Sequence, residues 1–358
     1  MESSLLLFRP KASEDVKTNR LQQVLDYAVQ GISYDTIEFA NQLSPLNNRK
    51  ILFAIDLGNS GINFEYYHFL KWFRTHSKSL CGCTAGILVD GESDLYTKSV
   101  SSELVFSANL AGCAFIGRPL VEGTRTLDNF TILSQNMGTD SFGAYQESAR
   151  ILVKRLLESS FPVHKRPNIL ALHASIRQTS NTLALWQQVK TRIENSCDLT
   201  EINVRNGAVS DCAGCPYTTC LHFGEEGRCF YGGVMVEQVF PAIKKADALV
   251  MLCPNYNDAI SANLTALVNR LTALFRQTRF YDKAIFAIIV SGYSGSDLIA
   301  RQLISALNMN KSFYLPGNFA MLETANNAGT ALKLPGIDDR IETFCNEIIS
   351  ILKGSGSL

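Results

Sequence analysis

Residues 168–185 join an apolar run to a cluster of small polar side chains. Residues 169–172 have the pattern of a buried parallel strand, because such a strand is covered on both faces and need not alternate. Leu183, Trp186 and Val189 follow at helical spacing. The backbone N–H groups and helix dipole at such a junction can hold a phosphate, although Ser and Asn also favour ordinary helix N-caps. The polar residues of the loop are Ser175, Arg177, Thr179, Ser180, Asn181 and Thr182.

A second group of chemically active residues consists of Cys212, Cys215, Cys220 and Cys229. In a cytosolic chain, such a cluster favours metal or redox chemistry over structural disulfides. Only the first two cysteines have the spacing that is usual for a four-thiolate zinc site. Three interpretations stay open: an iron–sulfur cluster, a zinc ion, and thiols that hold no metal.

The composition restricts the class of protein. The chain has 358 residues with 46% hydrophobic and 18% charged residues, which is typical of a globular protein with room for two domains. Its formal net charge of zero argues against a nucleic-acid partner, because nucleic-acid-binding proteins usually carry a basic excess. No apolar run approaches a membrane span, and residues 1–10 do not resemble a signal peptide. We therefore expect a cytoplasmic protein with no membrane partner.

The second half of the chain alternates regularly between strands and helices. Strands are predicted at residues 169–172, 201–204, 248–252, 284–290 and 313–315. Helical patterns lie between these strands, and a last helix is predicted at residues 338–352. Five strands with crossover helices predict a flavodoxin-like, doubly wound parallel sheet of the α/β class. Ligands of such sheets bind at the carboxyl ends of the strands, near the switch point.

The first half shows a less complete version of the same alternation. Strands are predicted at residues 51–55, 86–89 and 114–116, with an amphipathic helix at 144–158. The segment 160–167 is basic and bounded by prolines, which suggests a linker. The predicted organisation is a helical extension (1–48), a first α/β domain (49–159), the linker (160–167) and a second domain (168–358).

Two gapless matches between the halves suggest an internal duplication. Residues 51–63 match 169–181, and residues 96–109 match 256–269. The first match places Asp56 opposite Ala174, where a carboxylate would repel a bound anion. The first half is therefore predicted to be a degenerate copy that binds no phosphate.

Two more loops complete a recognisable pattern. Residues 253–261 leave a predicted strand with a Cys-Pro-Asn-Tyr sequence, and residues 291–296 form a glycine-containing loop after the strongest strand. With these three loops, residues 168–350 resemble the NADPH-dependent FMN reductase family of flavodoxin-like proteins. The chain departs from the family pattern at four positions, which are Ala174, Ile176, Ser180 and Cys253.

The resemblance implies a set of FMN-binding residues. The phosphate would be held by Ser175, Arg177, Ser180, Asn181 and Thr182. The isoalloxazine ring would be bordered by Pro254, Asn255, Tyr256, Asn257, Ser291, Gly292, Tyr293 and Gly295. Iron–sulfur flavoproteins of the same superfamily carry a compact cysteine motif in the region of Cys212–Cys229, usually with tighter spacing than this chain has.

The resemblance also implies an activity. It implies an FMN-dependent NAD(P)H oxidoreductase that passes hydride or electrons from a nicotinamide cofactor through FMN to an electron acceptor that the sequence does not name. No catalytic acid or base is predicted, and a homodimer or larger assembly is expected. The alternative is a non-enzymatic electron carrier of the same fold, with or without an iron–sulfur cluster, or a scaffold.

Overall fold

The computed structural model describes residues 4–175, 179–205 and 207–354. The chain divides into two compact units, Met1–Ser160 and Phe161–Leu358. Each unit contains one five-stranded parallel sheet with helices packed on it, so the chain carries two copies of an α/β fold. Within the described ranges, no helix is both long enough and apolar enough to span a membrane.

The first unit has the strand order β2-β1-β3-β4-β5. Its strands are β1 (Leu5–Phe8), β2 (Tyr34–Ile37), β3 (Lys50–Leu57), β4 (Thr84–Gly91) and β5 (Ala114–Gly123). Its helices are α1 (Arg20–Ala28), α2 (Phe64–Thr75), α3 (Thr97–Leu110), α4 (Thr131–Met137) and α5 (Ser141–Leu157). Phe8 packs against Phe53 and Phe69 in one core, with ring centroids 5.2 and 5.8 Å apart. A second core forms where α1 and α5 cover the same sheet.

The structure differs from the sequence prediction at residues 1–48. This segment is not a separate helical extension, because β1 and β2 lie in the first sheet and β1 pairs in parallel with β3. The four residues of β1 are all buried, with Leu5 and Phe8 fully inaccessible to solvent. Such a short apolar run does not by itself distinguish a central strand from other buried segments.

The second unit has the strand order β7-β6-β8-β9-β10. Its strands are β6 (Asn168–His173), β7 (Asp198–Asn203), β8 (Ala248–Pro254), β9 (Ala284–Ser291) and β10 (Ala320–Thr324). Its helices are α6 (Asn181–Ile193), α7 (Tyr217–Glu225), α8 (Phe240–Lys245), α9 (Ala262–Gln277), α10 (Ser296–Leu303) and α11 (Ile337–Lys353). Trp186 of α6 is fully buried in the core that α6 and α11 form on the sheet. The predicted linker packs on this unit, since Phe161 stacks on Tyr314 with ring centroids 4.7 Å apart.

The fifth strand of the second unit lies later in the chain than predicted. Tyr314, in the predicted strand 313–315, makes only a single bridge to Ala284, whereas β10 pairs along its whole length with β9. The sequence of β10 conceals it, because it includes the charged residue Glu323. Arg340 binds the buried Glu323 carboxylate through two hydrogen bonds of 2.6 and 2.8 Å, so the charge is compensated inside the fold.

The two sheets have the same topology, with the second strand of each unit at one edge and the order 2-1-3-4-5. This is the flavodoxin-like order, and the predicted fold class is confirmed. The gapless matches, however, join different positions of the fold. Residues 51–63 begin in β3, the third strand of its unit, whereas residues 169–181 begin in β6, the first strand. The topological equivalent of the loop after β6 is the loop after β1, and Asp56 corresponds to the end of β8.

Candidate functional site

Three loops of the second unit meet at the carboxyl edge of its sheet. They follow β6, β8 and β9, which are neighbours in the sheet, and together with the segment after β10 they enclose a cleft of about 1120 Å³. The volume exceeds the usual range for small-molecule sites, about 300–1,000 Å³. The cleft is lined by Ala174, Thr179, Ser180, Asn181, Thr182, Arg205, Pro254, Asn255, Tyr256, Asn257, Ile260, Ser261, Ala262, Asn263, Val290, Gly292, Ala325 and Asn326.

The loop after β6 ends in a capped helix. Ser180 is the N-cap of α6, and its hydroxyl accepts a hydrogen bond of 3.2 Å from the backbone N–H of Leu183. The hydroxyls of Ser180 and Thr182 are 2.8 Å apart. The start of α6 therefore presents hydroxyl groups and the positive helix end to the cleft. Arg177, which the sequence places in this loop, lies outside the described residues.

A hydrogen bond to His173 fixes the backbone of Ser175. The backbone N–H of Ser175 donates to Nδ1 of His173 over 3.3 Å, and Nε2 of His173 is 3.3 Å from Oε1 of Glu201. Glu201 also accepts a hydrogen bond of 3.2 Å from the indole of Trp186. His173 is fully buried and Ser175 is 4% exposed. These contacts connect the end of β6 to the core, and Ser175 is not among the residues that line the cleft.

Asn181 braces the start of α6 against the segment after β10. Its side-chain N–H₂ group donates to the carbonyl oxygens of Ala325 and Asn327, at 3.2 and 2.9 Å. Its Oδ1 accepts from the backbone N–H of Ala331 at 3.3 Å. The amide side chain is thus fully used within the protein, so only the backbone of Asn181 is left to face a ligand.

The second and third loops are joined by Asn255. Its side-chain N–H₂ group lies 3.1 Å from Oδ1 of Asp258, 3.2 Å from Oγ of Ser291 and 3.1 Å from the carbonyl of Ser294. Gly295 has a φ of +90°, and a Cβ there would overlap the Asp258 carboxylate. The close approach of the two loops therefore requires glycine at this position.

Two predicted ring-binding residues carry exposed aromatic side chains. Tyr256 is 59% exposed and Tyr293 is 81% exposed. Gly292 and Pro254 contribute backbone and a compact ring to the wall of the cleft. Cys253, just before this wall, is fully buried, and burial raises its pKa to about 12. The thiol of Cys253 is therefore a packing group and not a nucleophile.

The cleft also contains residues that the sequence analysis did not select. Arg205 lines it just after β7, Asn263 lines it at the start of α9, and Ala325 and Asn326 line it after β10. Arg205 directly follows the strand predicted at 201–204. Its place at the carboxyl edge is therefore predictable, since the carboxyl ends of parallel strands meet at one edge of the sheet. The sequence gives no signal for the residues after β10, because it predicts the fifth strand at 313–315 and β10 lies at Ala320–Thr324.

The four clustered cysteines line a separate cavity of about 300 Å³ in the same unit. Tyr231 lies among them, and the neighbouring Cys215 raises the pKa of its phenol. Across the described ranges, no three Cys, His, Asp or Glu side chains are arranged as ligands of one metal ion. The described positions of these four thiols therefore do not fit a zinc or iron–sulfur site.

The cleft, by contrast, fits a flavin mononucleotide. It offers a helix N-terminus with two hydroxyls at one end and, at the other, backbone-rich loops with the exposed ring of Tyr256. These are the features that hold a phosphate and a flat aromatic ring, respectively.

Comparison with known proteins agrees with this geometry. Residues 167–327 match the family described as NADPH-dependent FMN reductase. The predicted family resemblance is confirmed. The matched segment lies entirely within the second unit, and its class of activity is that of an NAD(P)H-dependent flavin oxidoreductase.

The individual proteins that resemble this chain have low sequence identity to it. An iron–sulfur flavoprotein of Archaeoglobus fulgidus is 28% identical over 146 residues, which are 40% of this chain and 72% of that protein. RosB, solved with bound 8-demethyl-8-formylriboflavin-5′-phosphate, is 14% identical with a TM-score of 0.39, over 50% of this chain and 76% of its own. The NADH:FMN oxidoreductase EMOB is 18% identical with a TM-score of 0.36, over 52% of this chain and 88% of its own.

Proposed function

We propose that the second unit binds FMN in the cleft and transfers hydride from a nicotinamide nucleotide to an electron acceptor. The observation that carries this proposal is the meeting of the capped start of α6 with the loops after β8 and β9 around one cleft. The family match over residues 167–327 supports the same cofactor.

The start of α6 would hold the phosphate. Ser180 and Thr182 would direct hydroxyls to the phosphate oxygens, and the backbone N–H groups of the first turn would supply further donors. Asn181 fixes this turn to the segment after β10 and so limits the loss of freedom on binding. Arg177 and Ser175 stay predicted phosphate ligands, although the backbone N–H of Ser175 already donates to Nδ1 of His173.

The loops after β8 and β9 would hold the ring. Asn255 fixes their separation, so the backbone of residues 254–257 and 291–295 can present amide groups to the polar edge of an isoalloxazine. The side chains of Tyr256 and Tyr293 are exposed, and they would cover a flat ring by stacking. FMN, when bound, supplies the hydride-accepting chemistry itself.

The protein would position the flavin and the nicotinamide, and it would not itself transfer protons. No Asp, Glu, His, Lys or Cys side chain lines the described part of the cleft. Protons that accompany reduction would therefore come from solvent through the open side of the cleft.

The test is spectroscopic. Purified protein loaded with FMN should show flavin absorbance that is bleached by NADPH or NADH without oxygen and restored by an added quinone or by air. Protein that is folded by circular dichroism but retains no FMN at micromolar concentrations would refute the proposal.

A second candidate function is electron transfer through an iron–sulfur cluster held by Cys212, Cys215, Cys220 and Cys229. It is favoured by the shared cavity of the four cysteines and by the name of the Archaeoglobus fulgidus relative. Their described positions do not fit a cluster, so no electron-transfer step is assigned to it. Iron, zinc and acid-labile sulfide should be measured after anaerobic purification, and absence of all three in folded protein would exclude it.

We also propose a homodimer or larger assembly. The exposed rings of Tyr256 and Tyr293 at the rim of the cleft would suit coverage by a second copy of the chain. Light scattering coupled to size exclusion would show at least twice the 39.5 kDa chain mass.

A further inference from the structure

Arg205 is the one charged side chain that lines the described part of the cleft. It follows β7, the edge strand beside β6, and so stands on the flank of the phosphate-binding turn. Its guanidinium makes no hydrogen bond or ion pair with any described residue. Because the described lining of the cleft contains no carboxylate, this exposed arginine provides a positive charge and five N–H donors to the cleft.

The backbone around Arg205 is fixed. The N–H of Val204 donates to the carbonyl of His173 at 2.7 Å, and the side chain of Asn263 donates to the carbonyl of Val204 at 2.6 Å. The side chain of Asn203 donates to the carbonyl of Ser175 at 3.2 Å. The segment is thereby held between the phosphate-binding turn and the start of α9, so the base of the Arg205 side chain has a defined position.

We infer that Arg205 binds a phosphate group inside the cleft and is a specificity residue of the site. The inference rests on the proposed FMN function. Two ligands carry the required chemistry: the 5′-phosphate of the flavin, and a phosphate of the nicotinamide dinucleotide. Both are dianionic or polyanionic, and a guanidinium can bind either through paired N–H donors. The cleft is large enough for part of a second ligand beside the flavin.

The experiment uses the full chain with Arg205→Gln and Arg205→Lys, and Lys165→Gln as a control that removes a charge from the same unit at a residue outside the cleft. Dissociation constants for FMN and riboflavin are measured by flavin fluorescence, and KM is measured for NADPH and NADH. If the flavin phosphate is the ligand, Arg205→Gln raises Kd for FMN roughly ten- to a hundredfold and leaves riboflavin unchanged. If the dinucleotide phosphate is the ligand, KM rises by a similar factor while Kd for FMN stays constant.

If KM rises for NADPH alone, the ligand of Arg205 is the 2′-phosphate. If KM rises equally for NADPH and NADH, the ligand is the pyrophosphate. Arg205→Lys should recover part of the loss, because it keeps the charge without the planar pair of donors. If Arg205→Gln and Lys165→Gln both leave every constant within twofold, Arg205 is a solvated surface residue and the inference is wrong. Failure of the wild-type chain to bind FMN would instead refute the proposed function itself.

Discussion

The carboxylate of Glu92 accepts a hydrogen bond of 2.6 Å from the backbone N–H of Lys17. The same oxygen accepts a second bond of 3.1 Å from Thr18. Lys17 and Thr18 lie just before α1, in the loop after β1. This loop is the topological equivalent of the loop after β6. A side-chain carboxylate therefore occupies, in the first unit, the position at which the second unit is proposed to hold a phosphate.

The Glu92 contact predicts one flavin per chain. Wild-type protein should bind FMN with a stoichiometry of one, and Glu92→Ala should keep that stoichiometry. The pocket of about 680 Å³ in the first unit is lined by the carboxylates of Glu14, Asp15 and Glu65, which would repel a phosphate. Loss of two hydrogen bonds to a charged acceptor should lower the free energy of unfolding of the first unit by about 1–2 kcal/mol. Denaturant titration would measure this loss, with Glu158→Ala as a control at an exposed acid whose ion pair with Lys154 is 3.9 Å long. Two flavins per wild-type chain would contradict the account of the first unit.

A pH effect is expected from the neighbouring carboxylates of the same sheet edge. Asp56 and Asp90 are register partners on β3 and β4, and both are buried. Burial raises the pKa of Asp56 to about 6, against the opposing effect of Arg9, whose guanidinium lies 3.6 Å away. Because the pKa is raised in the folded state, the unfolded chain releases the proton first as the pH rises. The stabilising contribution of this group is therefore present below pH 4 and is lost between about pH 4 and pH 6.

Asp56→Asn should remove this part of the pH dependence. Relative to wild type, the variant should gain up to about 3 kcal/mol of stability between pH 4 and pH 7, as two pKa units correspond to that amount. Hydrogen exchange of the β3 amides would report it for the first unit alone. A stability difference between variant and wild type that does not change with pH would show that Asp56 titrates normally.

The alternation of strands and helices was readable wherever the strands were long and apolar, as in β8 and β9. Three strands are not predicted from the sequence, each for a different reason. β1 has only four residues, β2 is an edge strand whose Tyr34 and Asp35 are exposed, and β10 hides a buried charge that Arg340 compensates. Each depends on partners far away in the sequence, which local periodicity does not report.

The candidate site also has features that the sequence predicts and features that it does not. The three loops were predictable, because the carboxyl ends of neighbouring parallel strands must meet at one edge. The roles of individual side chains were not. The sequence predicts Asn181 and Asn255 as ligands, yet their amide groups bind other loops of the protein. Arg205 reaches the cleft because β7 lies beside β6, a pairing that the sequence does not specify.

Ser180 allows capping and phosphate binding to be separated. Ser180→Ala should lower the free energy of unfolding by about 1 kcal/mol, because α6 loses its N-cap, and should also weaken FMN binding. Ser180→Asp should preserve the cap, since aspartate is an equally good N-cap residue, but should repel the phosphate and lose FMN. Thermal unfolding and flavin fluorescence would measure the two effects. Equal FMN affinity in Ser180→Asp and wild type would place the phosphate elsewhere.

Gly295 should be essential for the spacing of the two ring-binding loops. In Gly295→Ala, the new methyl group would overlap the Asp258 carboxylate and approach Nδ2 of Asn255 to 2.8 Å, which would push the loop after β8 away from the loop after β9. Gly138→Ala is a matched control in the first unit, because Gly138 also has a positive φ, +67°, but has no atom within 4 Å of the added carbon apart from its chain neighbours. Both variants should lose about 1 kcal/mol of stability from the backbone conformation. Only Gly295→Ala should also lose FMN affinity, by roughly tenfold or more, because the loss of about 1.4 kcal/mol of ring contacts corresponds to that factor. Equal flavin affinity in the two variants would mean that the ring does not depend on the junction of these loops.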